Sequence, residues 1–277
     1  MSRLGLELLT VLGMPPIDHI KLAAELGCSH ISTGLTNLPM RHLGVPDWTI
    51  FPDWSLEADP GLRRNMKAAM RDCGVRIALG EGFRVRSDGD VRDRAASLDI
   101  MAELGTERIN AVSTDADIAR AHDQLGLLSA MVMDRGMMFT IEFAPPNAIS
   151  SLADALAAID HIGRGKCRLL VDAMHFFRSG GTLTELAALD PDLIGYAQLC
   201  DAPLVSQGGT YMDEAMFARI APGAGELPLR EFVAALPAGL DIGLEVPNLA
   251  ETLADGNPRG VASRAVTGAL AILGQNA

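Results

Sequence analysis

Four oxygen-bearing side chains interrupt segments that are otherwise apolar. Glu142 closes Met138-Phe139-Thr140-Ile141, and Asp172 closes Leu169-Leu170-Val171. Gln198 follows Ile194-Gly195-Tyr196-Ala197, and Glu245 closes Ile242-Gly243-Leu244. Their spacings are 30, 26 and 47 positions. The first two match one strand–helix period, and the third is a period plus a long loop. If each segment is a strand, the two-residue alternation of side chains turns all four polar groups inward together. Ile141, Val171, Leu199 and Leu244 then point outward. Three carboxylates meeting at one place repel by about 4 kcal/mol per pair at ~4 Å and an effective dielectric of ~20. Proton uptake or a divalent cation relieves that repulsion. An all-oxygen set suits a hard ion such as Mn²⁺ or Mg²⁺, while Zn²⁺ or Co²⁺ are also admitted. Taken singly, acids at strand ends also serve as helix caps or loop hydrogen-bonders.

The elements that must position these groups are legible as an alternation. Strand-length apolar runs cover 4–10, 28–35, 75–82, 108–113, 138–144, 167–173, 194–200 and 240–246. Helix-length amphipathic stretches cover 18–26, 60–73, 90–104, 115–135, 151–162, 183–189, 227–236 and 258–273. Asp18, Asp90, Asp115 and Ser151 are expected N-caps, and Gly27, Gly74, Gly105, Gly136 and Gly163 expected C-terminal glycines. Eight strand–helix units over 277 residues, without a composition break, predict one closed (β/α)8 TIM barrel spanning 1–277. A doubly wound sheet is the rival. It requires a glycine-rich turn after the first strand, and Leu9-Thr10-Val11-Leu12-Gly13-Met14-Pro15 carries none.

Charge narrows the partners. There are 23 Lys and Arg against 35 Asp and Glu, a net charge of −12. Such a surface repels phosphate backbones and anionic membranes, so a small-molecule substrate is expected. A local basic pocket for one small anion remains compatible with it. The four cysteines, Cys28, Cys73, Cys167 and Cys200, form no CxxC pair, and no apolar run reaches the length of a membrane span. Glu7 interrupts the apolar start, so residues 4–10 read as a strand, and a cytoplasmic location follows by default.

Glu142, Asp172-Ala173-Met174-His175, Gln198-Leu199-Cys200-Asp201 and Glu245 together resemble the sugar phosphate isomerase/epimerase family. That family has the xylose isomerase-like barrel related to AP endonuclease family 2. The resemblance spans essentially the whole chain. It implies metal ligands at Glu142, Asp172, Gln198 and Glu245, and a His175 beside metal and substrate. Many members carry His where this chain has Gln198, which tilts the expected ion toward Mn²⁺ or Mg²⁺. Members include ketose epimerases, hydroxypyruvate isomerases, inosose dehydratases and dehydroshikimate dehydratases. The expected reaction is isomerisation or epimerisation of a polyhydroxylated carbonyl compound through a metal-stabilised enediolate. Glu142 and Glu245 would exchange the proton. The alternative is a lyase that expels a β-hydroxyl from a cyclic hydroxy-ketone, with His175 as acid. A DNA-repair nuclease on this barrel would use several histidines, but of the six present only His175 lies in a matching motif, and the net charge opposes DNA. A barrel that only binds a ligand would not need the acidic quartet.

Further candidates flank the quartet. Arg178, ahead of Ser179-Gly180-Gly181, could grip a carboxylate or phosphate, or cap a turn. Asp201 could orient a substrate hydroxyl or the Gln198 amide, or cap a loop. Trp48 and Trp54 lie in the long connection after the second strand and could close an apolar lid over the substrate. An oligomer contact or a satellite core are their other uses, so a homo-oligomer is compatible. His30, Asn110 and Glu7 share inward phase as minor pocket candidates. Arg84 and Arg86 could meet an anionic substrate or be surface charges.

Overall fold

A computed structural model describes residues 2–274. Eight parallel strands run in sequence order: β1 Leu4–Leu6, β2 His30–Thr33, β3 Arg76–Val85, β4 Arg108–Ser113, β5 Met138–Glu142, β6 Arg168–Asp172, β7 Ile194–Leu199 and β8 Ile242–Leu244. β1 pairs with both β2 and β8, so the sheet closes into a barrel. Helices fill the connections, and the architecture is the expected (β/α)8 TIM barrel.

Burial follows the alternation. Ile141, Val171, Leu199 and Leu244 lie in the large apolar layer between strands and helices. The barrel interior holds a separate small cluster of Ala78, Leu79, Leu170 and Tyr196. Leu170 and Tyr196 sit two residues before Asp172 and Gln198, so the inner face turns from apolar to polar toward the strands' C-terminal ends. In β3 the pairing with β4 shifts between Gly80 and Phe83. Such a bulge re-aims side chains.

Local signals explain most helix boundaries. Pro60–Cys73 begins at Asp59, whose carboxylate accepts the Leu62 N–H, and ends at Gly74 with φ 66°. That left-handed conformation suits a residue without Cβ. Ser151 caps Leu152–Ile162 as expected, and Asp90 caps a 3-10 turn, Val91–Arg94, ahead of Ala95–Leu104. Two expected caps are displaced. Pro15 precedes Pro16–Glu25, which leaves Asp18 in its first turn, and Asp117 rather than Asp115 caps Ile118–Met133. The first strand also ends early, because residues 8–13 turn back on themselves through bonds such as Thr10 N–H to the Glu7 carbonyl.

Candidate active site

The four sequence-predicted ligands converge at the barrel's C-terminal mouth. Glu142 ends β5. Asp172 ends β6 and also caps the helix Ala173–Arg178, its Oδ1 accepting the His175 N–H at 2.8 Å. Register pairs Asp172 with Gln198 and Gln198 with Gly243, which sets these two side chains at one level. Glu245 follows β8, and its Oε1 accepts a hydrogen bond from Gln198 Nε2 at 3.0 Å. Glu142 and Glu245 line a cavity of about 810 Å³ together with His175 and Arg219, and Asp172 and Gln198 contact that wall through Arg219 and Glu245.

A cation already stands among them, one the sequence did not reveal. Arg219, 1% exposed, comes from the loop after β7, and its Nη1 lies 2.7 Å from Asp172 Oδ2 and 3.0 Å from Glu245 Oε2. Its Nε donates to the Ala215 carbonyl at 2.8 Å. Burial works against ionisation of Asp172, but Arg219 and His175 outweigh it and hold the carboxyl below its usual range. Nothing in the sequence around Arg219 marked it, because it sits 21 positions past Gln198 in a stretch without strand or helix periodicity.

Below and beside the quartet lie two more acids. Glu7 is fully buried, accepts the Tyr196 hydroxyl at 2.6 Å, and sits 3.4 Å from Gln198 Nε2. Carboxylate oxygens of Glu7, Glu81 and Glu245 all lie within 4.8 Å of one another, a grouping able to hold a metal ion. Burial, with mutual repulsion, raises these groups: Glu7 is pushed to about 7, Glu81 to about 8 and Glu245 to about 8, the last despite Arg219. Glu142 is raised well above the usual carboxylate range by burial and by Glu245, Asp172 and Glu81. Its Oε2 accepts from Asn110 Nδ2 at 2.7 Å. Glu81 is absent from the set expected from sequence, although it breaks the apolar run 75–82 near its end much as Glu142, Asp172 and Glu245 break theirs.

His175 is buried and neutral near pH 7, since burial lowers it to about 4. Tyr211 Oη stands 2.5 Å from Nδ1, and Nε2 lies 3.4 Å from Glu142 Oε1. Burial keeps the Tyr211 phenol protonated. Nε2 also faces Arg219 Nη2, a donor, at 3.4 Å, so the ring is held from both sides, by Tyr211 at Nδ1 and by Arg219 and Glu142 at Nε2.

The remaining sequence candidates are used elsewhere. Arg178 pairs with Glu214 at 2.6 Å and donates to the carbonyls of Pro203 and Leu204. Asp201 accepts the N–H groups of Ala202, Gly223, Gly225 and Leu227. Both therefore anchor the loop that carries Tyr211 and Arg219, and neither lines the cavity. Trp54 donates Nε1–H to the Gly13 carbonyl at 2.9 Å, and Trp48 packs with Leu12 and Met40. Trp48 thus belongs to a satellite core and Trp54 to the main core, and neither lines the cavity. Loop apolarity alone does not separate these two uses. His30 is a core residue whose ring fills the space a Cβ on Gly5 would need.

Comparisons agree with this architecture. A family model described as xylose isomerase-like TIM barrel matches residues 20–263. Among solved structures, a xylose isomerase-like TIM barrel/4-hydroxyphenylpyruvate dioxygenase fusion protein shares 19% identity at TM-score 0.75, with 98% of this chain spanning 42% of that one. The IolI protein with a bound zinc atom shares 14% identity at TM-score 0.75, over 98% of both chains. D-allulose 3-epimerase from Methylomonas sp. shares 15% identity at TM-score 0.69, over 97% of both. At such identities the likeness is one of fold. No curated protein matches the sequence. Among the described residues no helix is long and apolar enough to cross a membrane. With the closed barrel and the family match over most of its length, the chain belongs to the xylose isomerase-like TIM barrel family.

Proposed function

We propose that this protein is a divalent-metal-assisted isomerase or epimerase of a small polyhydroxylated carbonyl compound. The observation that carries this reading is the meeting of Glu142, Asp172, Gln198 and Glu245 beneath one open cavity. The residues fit an ion. Five carboxyl groups, Glu7, Glu81, Glu142, Asp172 and Glu245, cluster near one buried guanidinium, Arg219, and all but Asp172 are driven to hold protons that a divalent cation could displace. The buried Oε1 of Gln198 has no hydrogen-bond partner, as expected of an oxygen kept for a cation. Glu142, Asp172, Gln198 and Glu245 would hold the ion, and their all-oxygen donor set favours Mn²⁺ or Mg²⁺ over Zn²⁺ or Co²⁺.

When bound, such an ion polarises a substrate carbonyl and acidifies the neighbouring C–H. The chain's own residues do the rest. Glu142 and Glu245 stand three strands apart around the mouth. One removes the proton next to the carbonyl and the other returns it. Return to the opposite face inverts that carbon, and return to the adjacent carbon interconverts aldose and ketose. His175, in the cavity wall with its ring fixed by Tyr211 and Arg219, hydrogen-bonds a substrate oxygen. Arg219 keeps Asp172 ionised. A second reading, dehydration of a cyclic hydroxy-ketone, is favoured by Glu142, whose carboxyl is kept protonated by burial and neighbouring acids and can hand a proton to a departing hydroxyl.

Proton NMR in heavy water, on the Mn²⁺-loaded protein with a panel of ketoses and cyclic hydroxy-ketones, tests both. Deuterium at the carbon beside the carbonyl without mass loss supports isomerisation. Loss of water with a new ultraviolet chromophore supports the lyase. Glu142→Gln should lower either rate by about a hundredfold or more. Neither exchange nor water loss with any divalent ion, together with no metal retained on purification, would refute the function.

A further inference from the structure

The cavity has a second pole that the acid cluster does not explain. Its wall on the β3 side includes Arg84, Arg86 and Arg94. Arg86 is committed to Asp88 at 2.9 Å. Arg84 and Arg94 make no ion pair within 4.0 Å among the described residues. Nearby acids are mostly engaged: Asp90 holds Arg92, and Glu57 accepts the Ser97 hydroxyl, while Asp93 is exposed. Arg94 is nevertheless held in place. Its guanidinium lies over the Phe83 ring, 5.3 Å from the centroid, and its Nε is buried with no hydrogen-bond partner.

Among the described residues other arginines also lack an ion pair, and Arg84 is exposed; what sets Arg94 apart is that it lines the cavity with its guanidinium stacked on Phe83 and its Nε buried without a partner. An unpaired cation that is stacked and partly desolvated points to a partner that arrives from outside. The β3 bulge matters here. Glu81 and Arg84 are three residues apart, so regular alternation would send them to opposite faces, yet both line the cavity. Arg84 pairs in register with Val112 of β4, which also lines the cavity.

We propose that Arg84 and Arg94 form an anion-binding subsite for a carboxylate or phosphate carried by the substrate, with its carbonyl end directed to the acid cluster. Guanidinium forks match both oxyanions. The subsite rests on the cavity being the active site, as argued above, and it narrows the substrate class to anionic polyhydroxy compounds. A surface of net charge −12 still admits such a ligand, because the attraction is local to these two side chains.

Calorimetric titration of the full chain with D-fructose, its 6-phosphate and its 6-carboxylate counterpart tests this without reading turnover. At least one anionic probe should bind about tenfold or more tightly than D-fructose. The R84Q/R94Q double variant should lose that advantage while keeping its affinity for D-fructose and its thermal melt. Which probe wins separates phosphate from carboxylate. Equal binding of neutral and anionic probes, no binding of either anion, or a preference that survives the double substitution would overturn the subsite. An Arg-dependent preference in a protein that exchanges no protons would leave the subsite standing and remove the isomerase reading. Proton exchange with no anionic preference would do the reverse.

Discussion

Arg219→Met removes the one cation buried among five acids, and its cost can be worked from the contacts. The guanidinium touches Asp172 at 2.7 Å and Glu245 at 3.0 Å. With charge centres ~4 Å apart and an effective dielectric of ~20, each pair is worth about 4 kcal/mol before desolvation. Desolvation of Arg219 offsets part of this, and Glu245 can take up a proton once its partner is gone. Breaking a buried pair from one side typically costs about 3–5 kcal/mol, and that is the expected loss at pH 8. The pH dependence follows from sign. In the native protein Asp172 is depressed, so its contribution to stability is present above its unfolded value and lost only as pH falls below the normal carboxylate range. Without Arg219, burial dominates and Asp172 rises above its unfolded value. Protonation then relieves the variant as pH falls, so the deficit narrows between pH 8 and pH 5. Urea unfolding followed by circular dichroism at both pH values measures it. Saturating Mn²⁺ should restore part of the loss, by substituting one cation for another. A deficit below about 1 kcal/mol, or one that does not change with pH, would show that Arg219 is not the charge compensating these acids.

Asp201→Ala deletes the acceptor of four backbone N–H groups, and should cost about 3 kcal/mol and expose the 202–226 loop to limited proteolysis. Unchanged urea midpoint and digestion pattern would contradict the anchoring role. Tyr211→Phe should change stability by only about 1 kcal/mol yet lower turnover, because His175 loses the bond that orients its ring. A pH–rate profile identical to that of the parent would argue against this. Addition of Mn²⁺ at about a hundred times its dissociation constant should stabilise the protein by about 2.7 kcal/mol in thermal melts, and Glu142→Gln should shrink that gain.

The acid quartet was legible because the barrel's parallel strands are buried on both faces. A charge in such a strand has few places to be except the mouth. β4 matches its predicted span of 108–113 residue for residue. The first strand was overread, since Leu8, Leu9, Val11 and Leu12 are as apolar in a buried turn as in a strand. Three helices, Ala173–Arg178, Tyr211–Phe217 and Leu249–Asp255, were missed because six or seven residues give barely two turns of periodicity. Arg178 and Asp201 have two uses open in the sequence, a substrate contact or a cap, and the structure gives them loop contacts. Sequence proximity to the motif places them near the mouth, but only three dimensions reveal that their partners lie in the loop's own backbone.

The 200–226 segment brings Tyr211 and Arg219 to the mouth while Asp201 and Arg178 tether it from the barrel side. The phenol that sets the imidazole and the cation that balances the acids therefore travel on one stretch of chain. Inheritance of that stretch is all-or-nothing. A relative with a different connection after its seventh strand must replace both services together, or fill the vacancy with something that is not protein.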